Sequence, residues 1–174
     1  LDRPYIAAPL SRKNILEIAL VIREAIGLTP MDYFPVVKFL ENVLPEIDED
    51  FHLEIKDVGS MKEYGVAYPK DRKIVIREDV YLNAIKGVAM HRFTLAHEIG
   101  HYFLHRPERI GLARTNEEPK PFQKPEWQAN TFAGELLAPS IAIAGMTVNE
   151  VMDKYGVSRK VAEIQMKFSG KAIK

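Results

Sequence analysis

The sequence contains no cysteine. Disulfides, thiolate nucleophiles and cysteine-based zinc sites are therefore excluded, and any metal must be held by histidine and carboxylate. The same absence predicts a chain that works in the reducing cytoplasm. Net charge is missing too, because 24 Lys and Arg balance 24 Asp and Glu. No overall positive field draws in phosphate backbones or anionic membranes, so direct nucleic-acid binding is disfavoured. Apolar runs such as Ile18–Ile22 are short, far below the ~20 residues a membrane crossing needs, and the first thirty residues hold no cleavable hydrophobic segment. No membrane partner is expected.

What is present is a 174-residue chain with 47% hydrophobic content, enough for one well-buried core, so 1–174 is expected to be a single domain. Ser11 has the chemistry of a helix cap, and Ile15, Ile18, Ala19, Ile22 and Ile26 repeat at helical spacing until Gly27. A second helix is predicted from Pro35 to Pro45. Alternation at Phe51, Leu53 and Ile55 gives a half-buried strand, and Val66–Tyr68 with Lys73–Arg77 gives a hairpin around Pro69–Arg72. His91–His105 is helical, Pro107–Pro125 reads as a long loop, and Pro125 opens a helix that runs to Pro139. Residues 140–174 offer a helix pair, Val148–Tyr155 and Arg159–Phe168, that looks like a helix-turn-helix. The predicted class is α+β, a small antiparallel or mixed sheet packed with several helices.

Within the fifth of these segments stands His97-Glu98-Ile99-Gly100-His101. Two imidazoles four residues apart on a helix share one face and reach one ion, while Glu98, one step round, stays free to act as general base. Leu95, Ala96, Ile99 and Phe103 supply the apolar remainder of that helix. A catalytic zinc needs a third protein ligand and leaves its fourth position to water. His105 continues the series, but eight residues place it about 12 Å from His97 along the axis, too far to share an ion. It reads as a neighbour at the helix end, where a partly charged imidazole is favoured. Glu126 is the better candidate, standing in the first turn of the next helix after a loop long enough to fold that helix back. Asn130, one turn on, is placed to hydrogen-bond a ligand and fix its orientation. Glu108, Glu117 and Glu118 are the alternatives.

Arg92-Phe93-Thr94-Leu95-Ala96-His97-Glu98-Ile99-Gly100-His101, then Leu104-His105, then Glu126-Trp127-Gln128-Ala129-Asn130 with Phe132-Ala133 and Leu136-Leu137-Ala138-Pro139, closely resembles the ImmA/IrrE family of metallopeptidases. The resemblance implies a zincin-like active helix and a gluzincin-like site: one zinc per chain, held by His97, His101 and Glu126, with Glu98 as catalytic base. It also implies a protein substrate, a repressor carrying a helix-turn-helix. Two departures stand out: Gln128 where the family often has Glu, and Ala138 where Met is frequent.

On this reading zinc lowers the pKa of a bound water towards ~7, and Glu98 takes its proton and returns it to the leaving amine. His91, Tyr64, Tyr68 and Tyr102 are candidate second donors to the oxyanion. Lys73, Val75 and Arg77 are expected to form a strand edge on which an extended substrate pairs, and the loop bearing Phe122 to cover the site. Two other classes compete: a DNA-binding module built on Arg159, Lys160 and Lys167, and a regulatory protein with a structural metal that binds a partner without cutting it.

Overall fold

A computed structural model describes residues 5–112 and 118–170. Strand β1 (Tyr5–Ala7) leads into α1 (Arg12–Ala25). Ser11 Oγ accepts from the Asn14 N–H at 3.1 Å, and Asn14 Oδ1 accepts in return from the Ser11 N–H. This reciprocal cap starts the helix where its apolar period starts. Next come α2 (Val36–Lys38), a π-helical stretch Phe39–Val43, and α3 (Leu44–Ile47). Pro45, predicted to end the run, lies inside it. Proline lacks an N–H and crowds the turn before it, and the widened π turn supplies the room.

Strands β2 (His52–Lys56), β3 (Gly65–Tyr68) and β4 (Lys73–Arg77) form one sheet in the order β2-β4-β3. β2 runs parallel to β4 with Leu53 opposite Ile74, and β3 runs antiparallel to it with Ala67 opposite Ile74. The sheet is thus mixed, and its middle strand is β4. Ile74 and Ile76 face the core as the alternation predicts, but Val75 on the other face is also only 3% exposed. It shares a shallow cavity with Val58, Met61 and Val66, because the turn Val58–Ser60 folds back beside it.

Helix α4 (Glu78–Ile85) has only Val80 and Ala84 buried, too few to give a readable period. Helix α5 (Ala89–Leu104) runs beside α4, β3 and β4, and α6 (Pro125–Leu137) packs along it. Between them Pro107–Pro125 is less irregular than predicted. It carries short 3-10 turns at Pro107–Arg109 and Pro121–Gln123 and a strand, β5 (Ile110–Leu112), paired with β1. Glu117 lies outside the described residues.

Helices α7 (Val148–Tyr155) and α8 (Arg159–Phe168) turn at Gly156, whose φ is +61°. α8 buries Val161, Ala162 and Gln165, and Gln165 Nε2 donates to the Ala138 carbonyl at 2.9 Å. One apolar cluster reaches from Leu10 to Ala162. Among the described residues no helix is long and apolar enough to cross a membrane.

Two buried arginines tie the helices together through backbone carbonyls, with no carboxylate partner among the described residues. Arg92, near the start of α5, donates to the carbonyls of Phe34 (2.7 Å), Tyr155 (2.8 Å) and Gly156, and its guanidinium lies 4.1 Å over the Tyr33 ring. Arg23, in the last turn of α1, donates to the carbonyls of Leu136, Thr29 and Asp32.

Helices α5 and α6 cross closely at Gly100. A Cβ there would sit 3.0 Å from Phe132 Cδ1 and 3.2 Å from Ala129 Cα. Because the second obstacle is backbone, a side chain cannot be absorbed by a rotamer change. Gly100→Val is expected to lower stability by about 2–3 kcal/mol in urea unfolding, by prising α6 away from α5.

Candidate metal centre

The helical period of α5 brings His97 and His101 to the same face, with their Nε2 atoms 3.0 Å apart. The crossing at Gly100 brings the first turn of α6 alongside. Glu126 Oε2 lies 3.3 Å from His97 Nε2, and Oε1 lies 3.0 Å from His101 Nε2. One donor atom from each of the three falls within 4.8 Å of the others, a set that can hold a metal ion. The glutamate side chain is 73% exposed, whereas those of His97 and His101 are 16% and 18% exposed.

The far ring nitrogens decide whether this set fits a cation. His97 Nδ1 lies 2.9 Å from Asn130 Oδ1, an acceptor, so Nδ1 carries the proton and Nε2 a lone pair. For His101 the assignment runs through two more residues. Gln128 Nε2 donates to the carbonyls of Ala8 (2.9 Å) and Phe122 (2.8 Å), which turns its Oε1 to His105 Nε2 at 3.0 Å. That ring nitrogen must donate, so His105 Nδ1 accepts from His101 Nδ1 at 2.7 Å, and His101 Nε2 is left bare. Two imidazole lone pairs and a carboxylate therefore converge with no proton among them. Such an arrangement is repulsive unless a cation stands between the donors, and nitrogen-plus-carboxylate chemistry is what zinc takes.

Burial keeps these rings neutral. It lowers the His97 pKa, partly offset by Glu126, and takes His101 down to about 3, helped by His97 and His105. His105 falls to about 4, again mainly by burial. The partly charged imidazole expected at the helix end is thus corrected: His105 caps α5 as a buried neutral ring. Glu98 moves the other way, its carboxyl pushed up to about 7 by burial and by the charge of Glu126 against the lowering pull of one backbone donor. That donor is the Ala67 N–H on β3, 2.7 Å from Glu98 Oε2. Gly65 makes the approach possible, since a Cβ there would lie 3.0 Å from Glu98 Cγ and 2.8 Å from Ile76 Cδ1.

Several sequence-predicted residues lie elsewhere. Lys73, Val75 and Arg77 do not form an edge, because β4 is bonded on both sides, and the outer strands of this sheet are β2 and β3. Lys73 meets Glu54 at 3.4 Å, Arg77 forks onto Asp79, and Val75 is buried. Glu118 is taken up by Lys124, and neither it nor Glu108 belongs to the convergent set. Tyr102 is fully buried and bonded to Asp48 at 2.6 Å. His91 is buried with its Nδ1 unpartnered, its ring 6.1 Å from that of Tyr64. Phe122 serves the site through its backbone carbonyl. The relay of His105 and Gln128 was missed from sequence, although His101 to His105 is one helical turn and would have suggested the first contact.

Gln128→Leu is expected to weaken divalent-metal affinity roughly 10- to 100-fold in a chelator competition, by releasing the His101 tautomer. A second outcome concerns pH. In the metal-free protein His101 and His105 stay neutral down to about 3 and 4, while the unfolded chain protonates them near 6.5. Unfolding thus takes up protons across that window, and stability falls as pH drops through it. Glu98 opposes this between 4.5 and about 7, being protonated in the fold and ionised when unfolded. Thermal melts should show greatest stability near pH 6.5 and the steepest loss below about 4.5.

No curated protein matches the chain. A family model, the IrrE N-terminal-like domain of Peptidase_M78, matches residues 48–167, a span that begins just before β2 and ends in the last turn of α8. With the three convergent donors and Glu98 inside that span, the chain belongs to the ImmA/IrrE family of peptidases.

Proposed function

We propose that the chain is a zinc-dependent endopeptidase of the cytoplasm, acting as one domain on a protein substrate that is a helix-turn-helix repressor. The single observation that carries the metal assignment is the convergence of ligand atoms from His97, His101 and Glu126 within 4.8 Å of one another. Those three residues would hold the ion. Zinc bound there would supply a Lewis acid to polarise the substrate carbonyl and to lower the pKa of water.

The protein's own groups do the rest. Glu98 is the base: Ala67 anchors its Oε2, and Oε1 takes the proton and later delivers it to the departing amine. Burial sets its carboxyl above the ordinary carboxylate range in the metal-free fold, the direction that suits a group that must both take and return a proton. Asn130 keeps His97 in the ligating orientation. The substrate backbone pairs along β3, one of the two outer strands of the sheet, beside the Ala67 N–H that Glu98 occupies. That replaces the edge expected at β4. The peptidase family supports a protein substrate, and the repressor follows from the sequence resemblance.

Zinc-loaded protein incubated with purified candidate repressors should yield two defined fragments by mass spectrometry. Glu98→Gln should keep zinc stoichiometry and lower cleavage about 10²- to 10⁴-fold. Equal cleavage by that variant removes Glu98 from the mechanism, and cleavage that persists in the His97→Ala, His101→Ala double variant removes the metal.

A further inference from the structure

Between α5, α6 and α8, next to the donor set, lies a groove of about 810 Å³. Three helices wall it, each with one face. Met90, Phe93 and Thr94 come from α5, Trp127, Asn130, Thr131 and Gly134 from α6, and Val161, Ile164 and Phe168 from α8. The spacings of three, four and seven are those of residues stacked along a helix.

Two of these faces continue into the donor set. On α5 the next turn after Phe93 and Thr94 carries His97, whose ring lies 6.5 Å from that of Phe93. On α6 Trp127 follows Glu126, and Asn130 both lines the groove and bonds His97 at 2.9 Å. Along α6 the groove runs from Asn130 at the metal end to Gly134 at the other. There Gln165 Oε1 lies 2.7 Å from where a Gly134 Cβ would be, and Arg12 bonds that oxygen at 2.6 Å while covering the Phe168 ring at 3.7 Å. Asn130 stands at the end nearer the donors, and Arg12 with Gln165 and Phe168 at the Gly134 end. Its lining is mainly apolar, and among the described residues lining it none is acidic. The charge of Arg12 is met by the buried Glu135 at 2.7 Å, which leaves Lys160 as the cation on the exposed rim.

We propose that this groove is the specificity site of the peptidase, seating a bulky apolar side chain of the substrate next to the scissile bond, with an acidic neighbour facing Lys160. The proposal rests on the endopeptidase reading, because continuity with His97 and Glu126 makes a cleaved peptide the occupant. A chain lying across the donors from the β3 side leaves the site between Phe93 and Trp127. The next side chains then enter apolar surface that water solvates poorly. Without the metal end the same groove would be only an apolar cleft.

The test uses zinc-loaded full-length protein and a library of peptides of random sequence, with cut sites mapped by mass spectrometry. Leu, Ile, Met or Phe should be enriched at one position beside the cut, with Asp or Glu enriched next to it. Ile164→Glu, at an exposed position, should lower kcat/KM for the best apolar peptide roughly 10- to 200-fold, the worth of an apolar pocket contact, while zinc affinity stays unchanged. Lys160→Glu should erase the acidic preference alone.

A cut-site preference that ignores Ile164→Glu overturns the proposal. If no peptide is cut, the endopeptidase reading fails, and NMR titration of the metal-free protein with an Ac-Leu-Asp amide still decides on the groove. Shifts at the Phe93 and Thr94 amides and the Trp127 indole uphold it as a peptide site, and their absence overturns it. Concentration-dependent dimers in sedimentation that Ile164→Glu abolishes would assign the groove to a second copy of the chain and overturn it as well.

Discussion

Everything at the metal centre depends on how near two helices are allowed to come. α5 supplies two imidazoles and α6 a carboxylate, and no covalent or strand connection fixes the distance between them. Gly100 does. Its missing side chain admits Ala129 to within 3.2 Å of where a Cβ would stand, and Pro125 at the start of α6 sets the first turn so that Glu126 faces the rings. Packing energy from Ile99, Phe132, Ala133 and Leu136, all buried, then holds the crossing closed. The lone pairs that the donors turn towards one another oppose the fold, although His97 and His101 each hold a hydrogen bond through the other ring nitrogen. The scaffold imposes the arrangement and a cation between the donors would relieve it, which is how many functional sites store local conflict.

A chain of hydrogen bonds resolves the remaining ambiguity. An isolated histidine has two tautomers, and only one of them offers Nε2 to an ion. Here the choice is made by an amide whose own orientation is fixed by two backbone carbonyls, Ala8 and Phe122. Residues near the start of the chain and in the 3-10 turn before α6 thereby determine the state of His101. Gln128 is neutral, so the relay orients the ring without placing an anion behind it, as Glu at this position would.

Much of this was legible in the sequence, and the reasons differ by element. His97, Glu98 and His101 were readable because helical periodicity alone places them. Glu126 and Asn130 needed the further idea that the next helix folds back, which the resemblance carries and the crossing explains. The sheet was harder. Short strands reveal their alternation but not their order, so Lys73–Arg77 looked like an edge although two partners enclose it. Helix α4 buries too few residues to show a period, and Pro45 marks a helix end by local rules that the π turn overrides. His105 and Gln128 were hidden because their meaning is a contact between two helices, and neither residue is unusual in its own segment.

Arg92 and Arg23 each grip three backbone carbonyls, and those carbonyls include Leu136 at the end of α6 and Tyr155 and Gly156 at the end of α7. The guanidinium remains charged at every pH a cell meets, and a carbonyl does not ionise. Clamps made of these two groups have no titration at which they release, in contrast to pairs such as Arg72 with Asp48, which acid dismantles. The frame around the peptidase site is therefore joined at its inner corners by fastenings that acidification cannot undo, even while the histidines they surround are taking up protons.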